Sequence, residues 1–311
     1  MKTSSILLLA VLALSALNIY STVKFQVHST TGIALAGDNR NSQSANSRAS
    51  HKIDGIVLPV ISRVSVLSIH VRDTLVHDSI FHFLTDKLGL SVEYYPVRWN
   101  ERKYAGVYAG NMFLEPCGPY SNFKYATNDF RAIFFGLNCE SDRSLSSLAE
   151  DLTARHIEIM KDDIIHITDT AVIKPNIYFG ISSGHIQNKV SEDSLRSVMV
   201  KNNINGPGIE RIKEIRIGYP DNYCLERWRE LIMPSQISDE GICKINNDQT
   251  IKFVKSNIRE VNGIVFKVRS LKKAKDWLIV NKLLGDMSKD EIALDRPKTF
   301  GLIILFSEKE N

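Results

Sequence analysis

An excess of one charge sign is missing from this chain. Lys+Arg 39 against Asp+Glu 35 leaves a formal charge of +4 over 311 residues, and the basic residues are scattered rather than striped. Nucleic acid therefore has no electrostatic footprint to meet and is excluded as a partner. Also missing are HExxH, a phosphate-binding Gly-rich loop and a GxGxxG opening a helix, which removes zinc proteases, P-loop enzymes and dinucleotide-binding enzymes. Cysteine is scarce: four are present, no two at zinc-ribbon spacing, so a structural zinc site is excluded. Disorder and collagen-like or low-complexity structure are excluded by 43% hydrophobic and 24% charged residues. The length suits two domains of ordinary size, or one large one.

What is present begins at the N-terminus. Lys2 precedes an apolar run from Ile6 to Leu17 broken only by Ser15, and Asn18, Tyr20 and Ser21 follow. This pattern predicts a signal peptide over residues 1–23 and a secreted or extracytoplasmic protein. Extended through Val23, the same run reads as a signal anchor, and only then is a membrane a partner. Residues 24–60 read as a linker, because 28–52 are rich in Ser, Asn, Thr and Gly. Export places the cysteines in an oxidising compartment, where local bridges Cys117–Cys139 and Cys224–Cys243 are expected. The competing reading makes Cys139 and Cys243 small buried hydrophobes on strands.

From Val64 onward a strand followed by an amphipathic helix recurs four times, starting at residues 64, 132, 212 and 263, each with two or three further strands behind it. In the first helix Val76, Ile80, Phe83, Leu84 and Leu88 form one apolar stripe, Asp73 is the expected N-cap and Gly89 the stop. Such a unit cannot bury its sheet face alone, so copies must pair into a shared core. The class is α+β, with domains over 61–185 and 212–311 and a linker over 186–211.

The string SIHVRDTLVHDSIFHFLTDKLGL and the string GNMFLEPCGP at 110–119 resemble the opening and the end of a module of the vicinal oxygen chelate superfamily, which includes glyoxalase I, fosfomycin-resistance proteins and extradiol dioxygenases. The resemblance implies paired βαβββ modules in two tandem glyoxalase-like domains, the second degenerate. It also implies a divalent metal (Fe, Mn, Zn or Ni) with two positions open to vicinal oxygens of a substrate. Glu115 occupies the family's glutamate ligand position, and His70 stands where a polar substrate-contacting residue is expected. These two are the candidate catalytic and metal residues, as an incomplete set. The other aligned positions hold Val66, Phe135, Ile181, Glu214, Val254, Gly263 and Phe306, so no tightly bound cofactor is expected.

Tyr94, Tyr95, Arg98, Trp99, Tyr104 and Tyr108 crowd two strands of the first module, and Tyr95, Arg98, Tyr104 and Tyr108 are the expected contacts of a small-molecule ligand. Two readings follow: an exported small-molecule-binding protein with an incomplete metal site, and a metal-dependent lyase, isomerase or dioxygenase. A third, weaker one makes the repeats a partner-binding surface. The architecture also admits a homodimer.

Overall fold

The computed structural model describes residues 52–53, 56–71, 73–119, 134–173, 177–183, 191–257 and 260–310. The expected signal peptide or anchor at 1–23 and most of the linker at 24–60 lie outside the described residues. A short hairpin of β1 (Lys52–Ile53) and β2 (Ile56–Val57) precedes the first module.

That module runs β3 (Arg63–His70), α1 (Thr74–His82), then β4 (Ser91–Trp99), β5 (Arg102–Tyr108) and β6 (Phe113–Gly118). The helix begins where the sequence pattern puts it, since the Leu75 amide donates to Asp73 Oδ1 at 2.6 Å. It continues through a π-type turn, Phe83–Lys87, and ends at Gly89, whose φ of +69° is the left-handed conformation that glycine tolerates best. Ile80, Leu84 and Leu88 are fully buried beneath it, each contributing roughly 1.5–3 kcal/mol.

The second module runs β7 (Phe134–Ser141), α2 (Leu145–Ala154), β8 (Ile159–Lys161), β9 (Ile165–Ile167), the short α3 (Thr170–Ile173) and β10 (Ile177–Ser183). The two modules share one eight-stranded sheet in the order β4-β5-β6-β3-β7-β10-β9-β8. Its centre is the antiparallel β3–β7 pair, where Leu67 faces Leu137. On either side β6 runs parallel to β3, and β10 parallel to β7.

The segment expected as a linker contains α4 (Glu192–Asn202). Ser191 caps it, and Leu195 and Met199, four residues apart, are its buried positions. The second half then repeats the plan with β11 (Ile209–Tyr219), α5 (Asn222–Ile232), β12 (Ile242–Lys244) and β13 (Thr250–Lys255), followed by β14 (Val261–Val268), α6 (Leu271–Val280), β15 (Leu284–Met287), β16 (Glu291–Leu294) and β17 (Ile304–Ser307). Its sheet has seven strands in the order β12-β13-β11-β14-β17-β16-β15. The third module is one strand short, so the chain is two tandem paired-module units of which the second is reduced.

The halves are packed together. Trp228 of α5 is buried with its ring 5.5 Å from Phe179 of the first sheet and 5.2 Å from Phe253 of the second. Gln249 acts as a bridge: it accepts from the Val64 amide at 2.9 Å and donates to the Val64 carbonyl at 2.8 Å. Asn111 likewise donates to the Ile212 carbonyl at 2.8 Å.

All four cysteines are buried thiols, which corrects the expected local bridges. Cys117 lies opposite His70 at one end of β3, and Cys139 lies opposite Val64 at the other end and on the other side of that strand. At about 3.3 Å per strand residue the separation far exceeds disulfide reach.

Candidate functional site

Side chains alternate along a strand, so the first sheet has one face packed against the helices of its two modules and an opposite face that α4 covers at the Tyr108–Phe113 end. In the first sheet Leu67, Ile69, Leu114 and Leu137 are buried among the helices. The other face carries the pairs Ser68–Glu115 and His70–Cys117 between β3 and β6, and Ser68–Gly136 between β3 and β7. The sequence candidates Glu115 and His70 therefore share this face, one strand and two residues apart.

Glu115 stands at its centre. Ser68 Oγ donates to its Oε2 at 3.0 Å and Tyr94 OH to its Oε1 at 2.7 Å, while Asn138 Nδ2 donates to Ser68 Oγ at 3.3 Å. Tyr94 reaches Glu115 by lying across β5 at Gly106. A Cβ there would come within 2.3 Å of the Tyr94 ring, so the approach requires glycine. Glu93 is in the same group, with its Oε2 only 2.8 Å from that Cβ position. Burial, and then the Glu115 and Glu192 carboxylates, push the Glu93 carboxyl up to about 7.

Toward the other end of β3, His70 Nδ1 lies 3.1 Å from Cys117 Sγ. Burial and the Arg102 guanidinium lower the imidazole to about 3, so it is neutral at physiological pH. Burial, reinforced by Glu115, raises the Cys117 thiol well above the usual range. Tyr104, opposite Cys117, is buried and likewise raised by burial. Gly136 is the floor of the face: His70 Nε2, Ser68 Cβ and Tyr178 Cδ1 all come within 3.1–3.3 Å of where its Cβ would stand. Tyr178 hydrogen-bonds His166 Nδ1, and His166 Nε2 faces Asp162 Oδ1 at 3.2 Å.

The four expected ligand contacts scatter. Tyr104 is on this face. Tyr108 is on the same face but fully buried in a cluster with Phe113 and Leu195 under α4, and its hydroxyl donates to the Gly110 carbonyl at 2.6 Å. Tyr95 is 72% exposed with its ring 6.2 Å from Phe81 of α1, on the helix side. Arg98 is exposed and pairs across from Lys103, whose Nζ reaches Asp78 of α1. Irregularities in β4 between Val92 and Tyr94 and between Tyr94 and Val97 break the simple alternation and turn Tyr94 toward Glu115. Ser68, Glu93, Arg102, Asn138 and Tyr178 belong to the face and were not among the sequence candidates. The glycine of the Tyr-Ala-Gly-Val-Tyr string, Gly106, was the one sequence signal for the crossing by Tyr94.

The pattern GxSxG occurs at 180–184, but it is no nucleophile elbow. Ser182 sits within β10 opposite Glu140, and its hydroxyl donates to the Cys139 carbonyl at 3.2 Å.

The metal implied by the resemblance can be tested against these donors. Pairing about Leu67–Leu137 makes Asn138 the counterpart of Ser68, and Gly180 the counterpart of Glu115. The four central positions thus offer one carboxylate, one hydroxyl, one amide and one glycine. Among the described residues no group of three or more His, Cys, Asp or Glu gathers closely enough to hold an ion. This donor set does not fit a tightly held divalent metal. Phe135 and Ile181, aligned above with ligand positions, belong to the helix-side core at 6% and 0% exposure. In the second sheet Glu214 is taken up by Arg216, whose Nε is 2.6 Å from Glu214 Oε1 and which also pairs with Glu291.

No family model matches the chain, and no curated protein matches it. Solved structures do. The 2,3-dioxygenase LapB from Pseudomonas sp. KL28 is 12% identical with a TM-score of 0.50, covering 81% of this chain and 93% of that one. Homoprotocatechuate 2,3-dioxygenase from Brevibacterium fuscum, in complex with 3,4-dihydroxyphenylacetate, is 11% identical with a TM-score of 0.51, covering 82% of each chain. The Mn(II)-bound glyoxalase from Novosphingobium aromaticivorans is 12% identical with a TM-score of 0.51, covering 81% of this chain and 84% of that one. The paired-module fold of these extradiol dioxygenases and this glyoxalase is the fold of this chain.

Proposed function

We propose that this protein is an exported small-molecule-binding protein that uses the vicinal oxygen chelate fold without a tightly held metal. The observation that carries the reading is Glu115, a carboxylate held at the centre of the first sheet's free face by Ser68 and Tyr94, with Glu93 beside it. Two neighbouring carboxyls, one half-protonated near neutrality, present both acceptors and a donor to hydroxyl groups of a ligand. Tyr104 and Tyr178 supply aromatic surface, and neutral His70 and Arg102 supply polar contacts at the far end. The ligand class is therefore a small hydroxyl-bearing organic molecule. Export rests on Lys2 and the apolar run that follows it.

The test takes 3,4-dihydroxyphenylacetate as the probe, because one structural neighbour is seen bound to it and it carries two adjacent hydroxyls. Calorimetric titration of metal-free protein is expected to give saturable binding that weakens about tenfold in Glu115→Gln, with the folded state retained. Binding that is identical in Glu115→Gln, or absent in the wild type, contradicts the reading.

A further inference from the structure

The second half has a cavity of its own, about 420 Å³ in volume, where β11, β13 and β12 meet on the face turned away from the helices. Arg211, Lys213 and Lys244 converge on it, with Thr250 on its floor and the carboxylates of Asp248 and Glu310 at its margin. Three cations face two carboxylates, so the cavity is basic in a chain whose overall charge is nearly balanced.

The carboxylates are unequal partners. Glu310 Oε2 accepts from Arg211 Nη2 at 2.5 Å, and its Oε1 lies 3.4 Å from Lys267 Nζ. Arg211 Nε makes no hydrogen bond, the Asp248 carboxylate standing off at 3.8 Å. A guanidinium offers two parallel donors to an oxyanion; here the second is buried without a hydrogen bond, within ion-pair range of Asp248, and would be satisfied by an anion that replaces Glu310. The Glu310 side chain is 64% exposed, so exchanging it for another anion costs little burial. Lys213 is the opposite case: it is 6% exposed, held by Ser307 Oγ at 3.3 Å and the Lys309 carbonyl at 2.9 Å, and it supplies fixed positive potential. The volume lies within the range of small-metabolite pockets.

We propose that this cavity is a second ligand site, taking a small organic dianion, of phosphate-ester or dicarboxylate type, that displaces the Glu310 carboxylate from Arg211. Asp248 also joins the cavity wall to the first half, because its carbonyl accepts from Asn111 Nδ2 at 3.2 Å. A bound anion would then brace the junction between the halves.

Inorganic phosphate and malonate, titrated separately into the full chain by calorimetry at low ionic strength, test the proposal. Saturable one-site binding of either anion is expected. It should tighten about fivefold in Glu310→Gln, where the competing carboxylate is gone, and weaken at least about tenfold in Arg211→Ala. Lys244 is exposed, so Lys244→Ala keeps the fold and is expected to weaken binding about threefold. Absence of saturable heat with both anions even in Glu310→Gln overturns the proposal, as does equal affinity across the three variants.

Discussion

Ser68 donates to Glu115 Oε2 at 3.0 Å across the β3–β6 pair, on the face where Glu115 and His70 lie together. The carboxylate is held in place by hydroxyls, with Tyr94 on its other oxygen and Asn138 behind Ser68. Removing one of these donors should cost about what a charge-assisted hydrogen bond contributes. Ser68→Ala is expected to destabilise the protein by about 1.5 kcal/mol, measured by urea unfolding, and to weaken probe binding. A neutral effect on both would mean that Glu115 is held by something else.

Glu93 and His70 give the site opposite responses to pH. The Glu93 carboxyl is raised from 4.5 to about 7, so the folded state holds a proton that the unfolded chain releases between those values. Stability from this group falls as pH rises from about 4.5 to 7. The His70 imidazole is lowered from 6.5 to about 3, so the unfolded chain takes up a proton that the folded state refuses. Stability from this group falls as pH drops from 6.5 toward 3. Between about 4.5 and 6.5 the two slopes oppose each other. Glu93→Gln should expose the loss on acidification and His70→Asn the loss on alkalinisation, each by about 2 kcal/mol after allowance for partial exposure. Unfolding curves across pH 4–8 for both variants check this, and equal slopes in both would refute it.

The thiols provide a separate test. Cys117 and Cys139 are buried and their thiols are raised by burial, Cys117 well above the usual range. Thiolate is the reactive form, so native protein should resist alkylation at all four cysteines and react at all four once unfolded. Mass spectrometry after alkylation with and without denaturant reads this directly. Two fewer reactive thiols in the unfolded sample would indicate a bridge.

Trp228 joins the two sheets through Phe179 and Phe253. Trp228→Ala is expected to destabilise by about 3–5 kcal/mol, and to do so in both halves at once. A loss confined to one half, seen by hydrogen exchange, would show that the halves are independent.

The architecture was legible because each module carries its own punctuation: an alternating strand, a capping Asp or Ser and a helical stripe. Asp73 and the Ile80–Leu84–Leu88 stripe fall where the pattern places them. The site was less legible because a sheet position is set by register, and one residue of slip moves a side chain through the sheet. Phe135 and Ile181 were aligned with ligand positions, whereas the inward-facing counterparts of Ser68 and Glu115 are Asn138 and Gly180. The irregularities in β4 had the same effect on Tyr94 and Tyr95. The α4 helix was hidden by its polar composition: only Leu195 and Met199 are buried, and its role in sealing Tyr108 depends on contacts more than 80 residues apart in sequence.

The central claim is that the first sheet's free face is a hydrogen-bonded polar site rather than a metal centre. Titration of the purified protein into Mn(II), followed by electron paramagnetic resonance of the free ion, tests it most directly. The account predicts that the free-ion signal keeps its intensity through one equivalent of protein. Loss of one equivalent of signal per chain, restored by Glu115→Ala, would contradict it.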